Sequence, residues 1–123
     1  MDDGSVEDGA GRTPALTSAD LGQPLGRRAT FVQFSSAFCV PCRAARRVLG
    51  LVAEEHEGVA HVELDVGGRL DLGERLDIRS TPTVLVLDAD GFERVRATGA
   101  PTLAQARAAL ARVIGSLERP SSA

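Results

Sequence analysis

The two cysteines of this 123-residue chain stand three apart, as Cys39-Val40-Pro41-Cys42, between two runs of opposite character. Before them, Thr30–Phe34 (TFVQF) is short, β-branched and aromatic, the signature of a strand. After them, Arg43–Glu55 places Ala44, Val48, Leu51 and Val52 on one face, a helix of three to four turns stopped at Gly58. The pair thus sits where a strand hands over to a helix. Free amide hydrogens and the helix dipole at that end favour an anion. A thiol held there has a lowered pKa, and thiolate is the attacking species. A second cysteine one turn on can release a mixed disulfide by closing a ring. Pro41 is tolerated because the N–H it lacks has no partner in a first turn. Arg43, Arg46 and Arg47 add positive charge nearby.

The rest of the chain extends this alternation. Thr17–Leu21 suits a short capped helix. Ala60–Val66 alternates as a strand, and Leu70–Ile78 carries Leu72 and Leu76 as a second helix. Thr83–Leu87 (TVLVL) reads as a strand buried on both faces. Asp88-Ala89-Asp90-Gly91 turns the chain into Phe92–Thr98, completing a hairpin. Leu103, Ala106, Leu110, Val113 and Leu117 line a closing helix over Thr102–Leu117. The first strand–helix–strand unit crosses over right-handed and makes its strands parallel, while the hairpin adds antiparallel ones. The expected fold is an α/β sandwich with a mixed sheet between helices. Residues 1–15, acidic and glycine-rich, are expected to be a disordered tail, residues 16–118 the domain, and residues 119–123 a frayed end.

Composition narrows the function classes. A hydrophobic share of 43% and a charged share of 25% match an ordinary globular domain. A chain of this size hides roughly two-thirds of its unfolded surface and needs no metal or disulfide staples. The net charge of −3, with no basic cluster interleaved with aromatics, argues against nucleic acid as a partner. No apolar run approaches the ~18 residues of a membrane-spanning helix. Met1-Asp2-Asp3 lacks the basic, apolar opening of a secretory signal. The expectation is a cytoplasmic protein, or a membrane-anchored or extracytoplasmic one if the chain is a shortened form.

Two plainer readings of the cysteines compete. They can be inert core residues or an incidental disulfide, although such pairs seldom coincide with a strand-to-helix junction. Cys39-x2-Cys42-x13-His56-x4-His61 also fits a zinc-finger template. In a finger, however, the cysteines lie on a hairpin and both histidines on one helix, whereas Gly58 separates His56 at a helix end from His61 on a strand. No metal site is expected.

Phe38-Cys39-Val40-Pro41-Cys42-Arg43 and Ile78-Arg79-Ser80-Thr81-Pro82-Thr83 resemble two motifs of the thioredoxin family, in the family's order and close to its spacing. The likeness runs from about Leu25 to Leu117. Phe38 stands where tryptophan is usual and Val40 where glycine is usual. Pro41 keeps the second-position proline, and Gly99 falls where the family has a glycine before its last helix. The resemblance implies a thioredoxin-like three-layer α/β sandwich and a thiol–disulfide oxidoreductase that reduces protein disulfides. Cys39 would attack, and Cys42 would resolve the mixed disulfide. A thioredoxin reductase or a membrane electron donor would restore the electrons. No bound cofactor is implied, and the protein is expected to be a monomer.

The family's cis-proline corresponds to Pro82, although only about 5–6% of X–Pro bonds in folded proteins are cis. Thr81 would offer backbone groups to an extended substrate segment. Two departures stand out. The family's buried acid, which helps deprotonate the resolving cysteine, falls at Gln33, which cannot titrate; its lysine on the next strand falls at His61. Phe38, Val40, Pro41, Gln33 and His61 are therefore the expected redox-tuning positions. One expectation has Gln33 orient a water or the His61 imidazole, with neutral His61 accepting the Cys42 proton. The alternative leaves His61 satisfied by a backbone carbonyl or facing solvent. A different functional class is also open: an interaction module whose groove around Thr81 and Pro82 binds partner segments with little or no redox turnover.

Overall fold

A computed structural model describes residues 13–118. Most of the expected acidic tail and all of the expected frayed end lie outside those residues. In chain order the elements are α1 (Ser18–Leu21), β1 (Ala29–Ser35), α2 (Val40–Glu54) and β2 (Val59–Asp65). A 3₁₀ turn (Val66–Gly68), α3 (Leu70–Arg75), β3 (Thr83–Asp88), β4 (Glu93–Thr98) and α4 (Leu103–Glu118) follow. The sheet order is β2-β1-β3-β4. Strand β1 runs parallel to β2 and antiparallel to β3, and β3 runs antiparallel to β4. The mixed sheet predicted from the alternation is therefore present, with β1 at its centre.

Alternation along the central strand distributes the core. Ala29 and Phe31 face one side and pack with Leu49 and Val52 of α2 and Ala106, Leu110 and Val113 of α4. Val32 and Phe34 face the other, with Leu16, Leu21, Val62, Leu64, Leu72 and Leu76. Period-2 geometry therefore turns Gln33 toward α2, together with Phe31. Every residue of β1 is buried, including Gln33 and Thr30.

Helix α2 opens within the cysteine motif, as its placement implied, with Cys39 as the N-cap and Pro41 in the first turn, and the amphipathic run from Arg43 continues it. Several details differ from the sequence reading. The buried stripe of α2 runs through Cys42, Ala45, Leu49 and Val52, one position away from the expected face, and leaves Leu51 exposed. Helix α3 ends at Arg75 because Asp77 adopts a left-handed conformation with φ 58°. Strand β2 spans Val59–Asp65, and Val66 opens the 3₁₀ turn instead of closing the strand. In α1 the Thr17 hydroxyl accepts from the Asp20 N–H at 3.2 Å, while the Asp20 carboxylate accepts from the Thr17 N–H at 2.9 Å. Ahead of it, the Ala15 and Leu16 amides donate to the Gly91 carbonyl, tying the start of the described chain to the hairpin turn.

Candidate active site

The two cysteines are joined as a disulfide, with their Cα atoms 5.2 Å apart. Their surroundings differ. Cys39 is the half-buried N-cap of α2, and its sulfur lies 3.2 Å from the Cys42 amide nitrogen. Cys42, in the first turn and facing the sheet, is 1% exposed. A thiolate at Cys39 would meet an amide hydrogen and the positive end of a 15-residue helix. Phe38, immediately before it, is fully exposed and holds a left-handed φ of 57°. Val40 and Pro41 are exposed beside it.

The segment containing Thr81 and Pro82 lies against this rim. Their peptide bond is cis, as the resemblance implied. The Thr81 carbonyl oxygen is 3.9 Å from the Cys39 sulfur. The Thr81 hydroxyl meets the Ser36 hydroxyl at 2.7 Å, joining the two loops. The Gly99 amide donates to the Pro82 carbonyl at 2.8 Å, bracing the segment from behind.

Beneath the cysteines lies a polar network. Gln33 is fully buried, and its side-chain nitrogen is 2.8 Å from the Cys42 carbonyl oxygen and 3.0 Å from the Ser35 hydroxyl. The same nitrogen is 3.3 Å from Glu63 Oε2. A carbonyl and a carboxylate accept only, so this end of the amide must be the NH₂ group. The Gln33 oxygen then faces His61 Nε2 at 3.0 Å and can only accept. His61 therefore carries its hydrogen on Nε2. Burial pushes its pKa below the ordinary value, which keeps the ring neutral.

This geometry changes the expected role of His61. Its Nε2 is a donor to Gln33 and cannot also take a proton from Cys42. Its Nδ1 lies near Gly50 of α2. In the strand register Gln33 pairs with Glu63, while His61 pairs with Phe31, so the residue level with Gln33 on β2 is an acid.

Glu63 was not singled out in the sequence, and neither were Ser35 and Ser36. Arg46 donates to both Glu63 oxygens, at 2.6 and 2.9 Å, and the Ser35 hydroxyl donates to Oε2 at 2.7 Å. The Arg46 guanidinium holds the Glu63 carboxyl below the usual carboxylate range. Part of this arrangement was legible. Ser35 follows Gln33 by two on a strand, and Arg46 follows Cys42 by four on a helix, so each shares a face with its predecessor.

Among the described residues no group of three or more His, Cys, Asp or Glu side chains could hold a metal ion. Three of the four residues of the zinc template have other partners: the cysteines are bonded to each other and His61 engages Gln33. Nor is any helix among the described residues long and apolar enough to cross a membrane.

Comparison with known proteins points the same way. The family model for thioredoxin matches residues 16–112. A thioredoxin of Mycoplasma genitalium is 29% identical over 73 residues, 59% of this chain and 71% of that protein. A thioredoxin of Aspergillus fumigatus is 31% identical over 64 residues, 51% of this chain and 59% of that protein. The crystal structure of a chloroplastic thioredoxin z superposes with a TM-score of 0.63 at 29% identity, covering 71% of this chain and 79% of that one.

Proposed function

The chain belongs to the thioredoxin family and is a thiol–disulfide oxidoreductase, and from that premise we propose that it reduces protein disulfides, with Cys39 as nucleophile and Cys42 as resolving thiol. The asymmetry of the two sulfurs carries this reading: one is half-buried at a helix N-cap, the other 1% exposed in the turn below. In the reduced protein the Cys39 thiolate attacks one sulfur of a substrate disulfide. A Cys39–substrate bond forms, and the second substrate sulfur leaves with the electron pair and takes up a proton. The Cys42 thiol then loses its proton, and its sulfur attacks Cys39. The Cys39–substrate bond breaks, the substrate's remaining sulfur leaves as a thiolate and is protonated, and the protein retains the Cys39–Cys42 disulfide. Two electrons pass to the substrate through sulfur alone, so no bound cofactor is required.

The Thr81 backbone beside Cys39 supports strand-like pairing with an extended substrate segment held over Pro82. Phe38, Val40 and Pro41 form the rim such a segment would meet. The oxidised protein must then be re-reduced by a partner dithiol, a thioredoxin reductase in the cytoplasm or a membrane donor outside it. The cysteine usage, a redox pair and not a disulfide scaffold, supports a cytoplasmic location. The test is insulin reduction driven by dithiothreitol. The reading requires acceleration by the wild type that Cys39→Ser abolishes. A protein that binds substrate segments without accelerating the reaction would instead be an interaction module.

A further inference from the structure

The resolving thiol has to lose a proton from a site that is 1% exposed, and neither the amide beneath it nor the ring nitrogen facing that amide can accept that proton. The Gln33 amide does not titrate, and the His61 nitrogen turned toward Gln33 already carries a hydrogen. The next charged groups along the network are Glu63 and Arg46. Glu63 comes from β2, one hydrogen bond beyond the Gln33 nitrogen that holds the Cys42 carbonyl. Arg46 comes from α2, one turn beyond Cys42 on the same helix face, and closes on both Glu63 oxygens. Glu63 Oε2 collects hydrogen bonds from Gln33, Ser35 and Arg46 together, so its position is fixed from both β1 and α2. We propose that the Arg46–Glu63 ion pair is a charge-balanced positioning device for the resolving step, in which each charge offsets the other's pull on the acidity of the Cys42 thiol, so that losing either one alone moves the pH at which the mixed disulfide is resolved.

The charges around Cys42 leave few other candidates. Strand β1 has no ionisable side chain. Strand β2 offers His61, which is neutral, Glu63, and Asp65 at its outer end beside the same open cleft as Ser35, Arg46 and Glu63. Helix α2 adds Arg43 and Arg47, both exposed, and the Thr81–Pro82 segment brings no charge. Glu63 alone would oppose a second anion at Cys42, and Arg46 alone would favour one. Together they nearly cancel, leaving burial as the main influence on the thiol. Arg46 also keeps Glu63 ionised, so the carboxylate acts as a fixed charge and is a poor acceptor for a thiol proton. The cleft it borders gives a departing proton access to water.

The inference rests on Cys42 being the resolving thiol, and its test separates the two claims. Resolution of a preformed mixed disulfide between Cys39 and a peptide thiol is followed against pH. In Cys42→Ser the mixed disulfide should persist; its release at the wild-type rate would overturn the assignment of Cys42 itself. In Glu63→Gln, which keeps the shape and hydrogen bonding, the inflection should move down by about half to one pH unit, as expected for loss of one nearby charge. In Arg46→Gln it should move up by a similar amount. One pH unit is tenfold in thiolate fraction, but nucleophilicity falls as acidity rises, leaving about threefold in rate at a fixed pH below the inflection. Arg46→Lys should stay close to wild type, and the double variant should return to within about 0.3 of a pH unit, since opposite changes in interacting partners offset one another. Both shifts should shrink in high salt. Single variants that shift the inflection in the same direction, or leave it unmoved, would overturn the proposal even with the trapping result intact.

Discussion

The side-chain nitrogen of Gln33 lies 2.8 Å from the carbonyl oxygen of Cys42, so a fully buried amide on the central strand holds the backbone of the second cysteine in place. Because the other end of that amide receives the His61 N–H, one side chain joins β1, β2 and α2 directly beneath the disulfide.

Gln33→Leu keeps the volume and removes these bonds. It strands the His61 N–H and withdraws one partner from Ser35 and from the Cys42 carbonyl, so it should destabilise the protein by about 1–3 kcal/mol. Urea unfolding measures this directly. Gln33→Glu places a second carboxylate against Glu63, and its penalty at pH 7 should ease as the pH is lowered toward 4. A leucine variant as stable as the wild type would show that the amide contributes nothing to the fold.

The Glu63 carboxyl is held below its ordinary range by Arg46, then by Ser35. Its folded-state pKa thus lies below the unfolded value of roughly 4.3. The stabilisation is fully present above that unfolded value and is lost as the pH falls through the folded one. The stability difference between wild type and Glu63→Gln should therefore be constant from about pH 8 to pH 5 and shrink on further acidification. Arg46 is half exposed, so the difference should be modest and weaker in salt. A difference that grows as the pH falls contradicts this assignment.

Phe38 is wholly exposed beside the half-buried Cys39. Removing its ring costs no core packing, so Phe38→Ala should change stability by less than about 0.5 kcal/mol. An aromatic ring covered by bound substrate contributes about 1 kcal/mol, so KM for a protein disulfide should rise about threefold to tenfold. The rate with a small soluble disulfide should not change. Steady-state kinetics with both substrates would make the comparison, and equal effects on the two would remove Phe38 from substrate contact.

The sequence carried the outline of this site more fully than its depth. The cysteine pair was legible because a β-branched run, two thiols and an amphipathic run follow one another without a break. The inward aim of Gln33 was also accessible, since it shares a face of β1 with Phe31, two positions earlier. What stayed hidden depends on contacts between segments distant in the chain. Glu63 and His61 lie two apart on one strand and share a face, so only the register decides which stands level with Gln33, and pairing Ala29 with Val59 selects Glu63. The buried stripe of α2 likewise lies one position from the expected face because the helix docks on the sheet through Leu49 and Val52, leaving Cys42 inward and Leu51 outward. The docking of Leu16 against the Gly91 turn has no local signature at either end.

Which cysteine meets the substrate is decided most directly by covalent trapping. Single variants Cys39→Ser and Cys42→Ser would be incubated with disulfide-containing protein, quenched with acid, and their covalent adducts mapped by mass spectrometry. With Cys39 half-buried at the helix cap and Cys42 1% exposed beneath it, Cys42→Ser should accumulate mixed disulfides through Cys39, while Cys39→Ser accumulates few. Equal trapping by the two variants, or adducts formed mainly through Cys42, would contradict it.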